Sequence, residues 1–93
     1  MTRVILKGFI EVPDDDLAQV AEALPEHIEK TRNEDGCLVF QVEPDQAFKN
    51  RFNVYEEFEN REAFEFHQKR VKESRWGLIT TNIKRFYKIN EIP

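Results

Sequence analysis

The stretch Phe48–Ser74, FKNRFNVYEEFENREAFEFHQKRVKES, changes its hydrophobic period halfway along. From Phe48 to Phe58 the side chains alternate. Phe48, Phe52, Val54 and Phe58 share one side with Asn50 and Glu56, while Lys49, Arg51, Asn53 and Tyr55 take the other. That is the period of a strand. Asn60 then offers an N-cap, and Ala63, Phe64, His67 and Val71 fall within one arc of roughly 100° on a helix predicted to run to about Ser74. A strand with an apolar side feeding an amphipathic helix is half of an α+β unit.

The first half repeats this order. In Val4–Val12, Val4, Leu6, Ile10 and Val12 share one register with Gly8, and Ile5 and Phe9 lie opposite among Arg3, Lys7 and Glu11. Pro13 ends this strand. One of Asp14, Asp15 or Asp16 is expected to cap the next helix, whose Leu17, Ala21, Leu24 and Ile28 form a stripe weakened by Pro25. Asn33–Gly36 reads as an exit turn, CLVFQV (Cys37–Val42) as a short strand and Leu78–Ile89 as a last strand after a break at Gly77. Strand–helix–strand twice over predicts one domain spanning residues 1–93, a ferredoxin-like βαββαβ α+β fold. Its four-stranded antiparallel sheet carries both helices on one face.

Length and composition suggest what covers the other face. A chain of 93 residues with eight Phe, two Tyr and one Trp holds many large rings for a small core. Apolar side chains on both sides of its strands predict a homodimer packed through the sheets. Fourteen basic against 18 acidic residues give a formal charge of −4, which offers no general attraction to nucleic acid or anionic lipid. No apolar run approaches the roughly 18 residues of a membrane span, and the start of the chain has no signal-peptide core. Cys37 is the single cysteine, which excludes an internal disulfide, so the expected location is the reducing cytoplasm.

His67 is the most informative polar residue, because its place on the helix points it at the sheet. A buried imidazole needs a hydrogen-bond partner, and Glu56 is the expected one. The pair suits either a ligand cavity or a satisfied core contact. Trp76 either closes the helix end or stacks on an aromatic ligand. Tyr55 and Asn53 could bond a ring oxygen, yet their alternation sets them opposite Glu56, toward a dimer face. Arg51 shares that difficulty, and Arg85 could pair with a carboxylate instead. His27 is expected to be solvated, Cys37 structural, and Lys69, Arg70, Lys72 and Arg75 a solvated charge run. The two histidines lack metal-ligand spacing, and Gly8, Gly36 and Gly77 form no nucleotide-binding signature.

YEEFENREAFEFH (Tyr55–His67) resembles the strand-to-helix signature of the antibiotic biosynthesis monooxygenase family. Glu56, Phe58, Asn60, Ala63 and His67 carry it. Upstream, TRNEDGCLVF resembles the segment where a helix ends at Glu and Gly-Cys opens the second strand, through Glu34, Gly36, Cys37 and Leu38. The resemblance implies a dimeric α/β barrel and a pocket between sheet and helices. It also implies a cofactor-independent monooxygenase acting with molecular oxygen on a small aromatic, phenolic or quinol-like substrate. His67 would then be the base or anion-stabilising donor and Glu56 its orienter, with no flavin, haem or metal. Phe58 replaces the family's common Trp, and no His follows His67, which departs from the haem-degrading branch. Relatives also include isomerases and lyases. A noncatalytic ligand-binding or interaction domain is the other alternative.

Overall fold

A computed structural model describes residues 2–93. The elements run β1 (Arg3–Glu11), a 3-10 turn (Asp14–Asp16), α1 (Leu17–Arg32), β2 (Cys37–Pro44), β3 (Arg51–Phe58), α2 (Arg61–Lys72), α3 (Arg75–Ile79) and β4 (Lys84–Ile92). The strands form one antiparallel sheet in the order β2-β3-β1-β4. This is the expected ferredoxin-like α+β topology. No helix among the described residues is long and apolar enough to cross a membrane.

Alternation decides the core. Val4, Leu6 and Ile10 of β1 pair in register with Phe58, Glu56 and Phe52 of β3, so all six face the helices, and all are buried. Val20, Ala23 and Leu24 of α1 and Phe64 of α2 close over them. Burying a side chain the size of Val, Leu or Phe stabilises by about 1.5–3 kcal/mol, so this layer outweighs the missing hydrogen bond at Pro25, and α1 runs through it.

Several expectations need correction. No Asp side chain caps α1, and Asp14 instead accepts a bond from Asn50 Nδ2 at 2.9 Å. Phe48 lies outside β3 on an exposed turn, where Asp45 Oδ2 accepts from the amides of Ala47 and Phe48 at 2.8 and 3.0 Å. Leu78 and Ile79 belong to α3, not to the last strand. Ser74 starts that helix by accepting from the Gly77 amide, and a Cβ at residue 77 would stand 2.1 Å from the Val71 carbonyl oxygen. Gly77 therefore permits a second short helix where its break in period suggested a strand.

The helices cover β2, β3 and β1 but leave β4 open. Arg85, Tyr87, Ile89 and Glu91 pair with Ile10, Gly8, Leu6 and Val4 and so face the helix side, yet every residue of β4 is exposed. On the outer face Phe9 stacks on Phe86 at 4.9 Å, and the Arg51 guanidinium lies 3.9 Å from the Phe9 ring centre and 4.5 Å from that of Phe48.

Candidate functional site

Asn60 accepts a hydrogen bond from the Ala63 amide at 2.8 Å, which fixes the start of α2 and hence the rotation that turns His67 inward. The ring is 3% exposed and lies against Phe58, with centres 4.9 Å apart, and Phe40. Its hydrogen-bond partner is Glu34, not Glu56. His67 Nδ1 sits 3.1 and 3.2 Å from the two Glu34 oxygens. Glu34 comes from the turn between α1 and β2. Gly36, at φ 88°, lets that turn close against α2, since a Cβ there would stand 2.7 Å from the Ala63 Cβ.

Arg70, one turn beyond His67, donates through Nε to the same Glu34 carboxylate and through Nη2 to Thr31 Oγ1 at 3.1 Å. Two donors thus meet one buried acid, and Arg70 is not part of a merely solvated run. The arrangement makes Nδ1 the protonated nitrogen and leaves Nε2 with a free lone pair. Burial lowers the His67 pKa, and the bond and charge of Glu34 only partly oppose this, so the ring is neutral near pH 7.

Nε2 faces Glu56 across 3.8 Å, too far for a hydrogen bond. Glu56 Oε1 is buried with no hydrogen-bond partner among the described residues. Burial first, then the negative charge of Glu34, pushes the Glu56 carboxyl up to about 8. Near pH 7 the site therefore presents a carboxylic acid beside a neutral imidazole. One group can donate a proton and the other can accept one, and neither is committed to the other. Glu56, the expected hydrogen-bond partner of His67, makes no hydrogen bond to it.

His27, expected to be solvated, differs from expectation. It is buried, stacked on Trp76 with ring centres 4.5 Å apart and planes 5° from parallel. Burial, then the nearby His67 and Arg70, pushes its pKa down to about 3. Trp76 accordingly packs on a histidine of its own chain beside the site. Tyr55 and Asn53 lie on the opposite face of the sheet, where Tyr55 donates to Glu57 and Asn53 Nδ2 to Asp45 Oδ1 at 2.9 Å. They join His67 in no common pocket within one chain. Arg51 pairs with Glu11 at 3.1 Å on that outer face, and Arg85 bonds Thr80 and the Ile83 carbonyl and pairs with no carboxylate among the described residues. Cys37 is half-buried, and its thiol pKa is raised by burial and then by Glu34 and Glu56. Among the described residues no group of three His, Cys, Asp or Glu is arranged to hold a metal ion.

Tyr87 lies on the open helix side of β4, paired with Gly8 of β1. Its phenol pKa is raised, first by lost hydration and then by the Glu56 carboxylate. The residue is 37% exposed.

The sequence of residues 3–74 matches the model of the family described as antibiotic biosynthesis monooxygenase. No curated protein matches the chain. Among solved structures, a Bacteroides thetaiotaomicron protein of unknown function, called a possible oxidoreductase, superposes with a TM-score of 0.82 at 20% identity over 98% of both chains. A candidate antibiotic biosynthesis monooxygenase from Deinococcus radiodurans gives 0.75 at 26% identity, covering 97% of this chain and 90% of its own. Another from Nitrosomonas europaea gives 0.73 at 20%, covering 100% and 97%. With its fold, its Glu56–His67 signature and this match over most of its length, the chain belongs to the antibiotic biosynthesis monooxygenase family.

Proposed function

We propose that the chain is a cofactor-independent monooxygenase of small phenolic or quinol-like molecules, working as a homodimer. The observation that carries this reading is the unpartnered Glu56 Oε1 opposite the free Nε2 of a histidine whose other nitrogen is tied to Glu34. A substrate hydroxyl fits that gap chemically. His67 Nε2 takes its proton, and the protonated Glu56 donates to the oxygen as negative charge develops there. The electron-rich ring anion then reacts with molecular oxygen. One oxygen atom enters a ring carbon, and the other leaves as water with the two hydrogens lost by the substrate. Burial of the pair excludes water and strengthens both interactions. Substrate would reach it from the helix side of β4, which the helices leave open.

Dimerisation through the outer sheet face would cover Ile5, Phe9 and Phe86, place Tyr55 and Asn53 against the partner, and close the two sheets into an α/β barrel. Sedimentation at micromolar protein is expected to give twice the chain mass, and a persistent monomer contradicts it. For the chemistry, a phenol and quinol panel is followed aerobically and anaerobically, with oxygen uptake and product mass measured together. Product one oxygen atom heavier and two hydrogens lighter, formed only with oxygen, is expected. Equal anaerobic turnover would instead indicate an isomerase or lyase. One observation favours a noncatalytic ligand-binding dimer: His67 and Glu56 are only 3% and 6% exposed. Absence of turnover across the panel by a folded dimer would support that second reading.

A further inference from the structure

Between the β4-facing flank of α2, the short α3 and the start of β4 lies a groove of about 610 Å³, open to solvent. That volume is within the range of small-molecule sites, roughly 300–1,000 Å³. Val71 and Leu78 give it an apolar floor, and Leu78 is 73% exposed. Lys69, Lys72 and Arg85 line it with no carboxylate among the lining residues. None of the three cations makes an ion pair among the described residues, although the chain as a whole carries a charge of −4.

Arg85 is held in place for this role. Its Nη2 donates to Thr80 Oγ1 at 2.9 Å and its Nη1 to the Ile83 carbonyl at 3.1 Å, and Thr80 is fully buried. A fixed guanidinium with donors to spare loses little freedom on meeting a carboxylate. We propose that this groove binds a small ring-bearing carboxylate, its apolar body over Val71 and Leu78 and its anionic end on Arg85, Lys72 and Lys69. A nucleic acid is a poorer fit, because the net negative charge around a groove this short repels a long polyanion. Tyr87 follows Arg85 by two positions on the same side of β4. Binding in this groove does not depend on the proposed function and is tested without it.

The probes are naphthalene-2-carboxylate and the neutral 2-naphthylmethanol, titrated into the whole protein and followed by amide chemical shifts. The carboxylate is expected to bind at least about tenfold more tightly than the alcohol. Its shifts should cluster at Gln68, Lys72, Leu78, Thr81 and Arg85, and added salt should weaken it. Lys72→Gln with Arg85→Gln should remove the preference for the anion and leave binding of the alcohol unchanged. Because Arg85 also ties β4 to Thr80, Lys72→Gln alone provides a variant with folding intact, expected to lose about threefold in carboxylate affinity. Equal affinity for the two probes, shifts centred elsewhere, or no saturable carboxylate binding would overturn the proposal. A failure here leaves the oxygen-dependent turnover assay unaffected.

Discussion

The two flanks of α2 treat charge in opposite ways. Toward α1, His67 and Arg70 converge on Glu34, a carboxylate whose side chain is 4% exposed, and the donors there are satisfied. Toward β4, Lys69, Lys72 and Arg85 surround an apolar floor with no counter-charge. Burial explains the difference. An uncompensated ion taken out of water costs several kcal/mol, so the closed flank requires its acid, whereas the open flank keeps hydrated cations available to a ligand. Glu56 is the exception inside the closed flank, buried but unpartnered, and it remains uncharged near neutral pH by holding its proton.

The comparison can be broken at four places. Once a substrate is known, His67→Gln should lower kcat/KM by about 10²–10⁴-fold while the dimer and cooperative unfolding survive. Near-wild-type turnover by the folded variant would reduce His67 to a core contact. Glu34→Ala, which strips the closed flank of its acid, should cost about 3–5 kcal/mol in denaturant unfolding. A loss under 1 kcal/mol would show that Arg70 and His67 do not depend on it.

Glu56→Gln should act through pH. The folded pKa of Glu56 is raised from 4.5 to about 8, so the native state holds a proton that the unfolded chain releases. Wild-type stability from this group falls as pH rises through that interval and levels off above it. The variant should therefore match the wild type near the lower limit and exceed it by about 4–5 kcal/mol above the upper, at roughly 1.4 kcal/mol per pH unit. A difference independent of pH would contradict the raised pKa. On the open flank, Lys72→Gln should change stability by less than about 0.5 kcal/mol, since its charge has no partner to lose.

Much of the fold was legible because period alone separates strand from helix in Val4–Val12 and Phe48–Ser74. The inward arc also placed His67 correctly. What escaped was set by long-range packing. Nothing in local spacing pairs Glu34 with His67, 33 positions apart, although Glu34 stood in the matched Gly-Cys segment. A stripe through Leu17, Ala21, Leu24 and Ile28 sets His27 at the edge of α1. The face that α1 buries includes Val20, Ala23, Leu24 and Thr31, which brings His27 under Trp76. Leu78–Ile79 read as strand because Gly77 suggested a break, whereas Ser74 restarts a helix there.

The proposed chemistry depends on the charge states of one acid and one imidazole. Carboxyl-carbon and imidazole NMR titrations of the labelled wild-type protein measure both in place. One glutamate is expected to titrate near pH 8, its signal lost in Glu56→Gln, with the His67 ring neutral and protonated on Nδ1 throughout the neutral range. A Glu56 titrating near the ordinary 4.5 beside a charged His67 at pH 7 would contradict it.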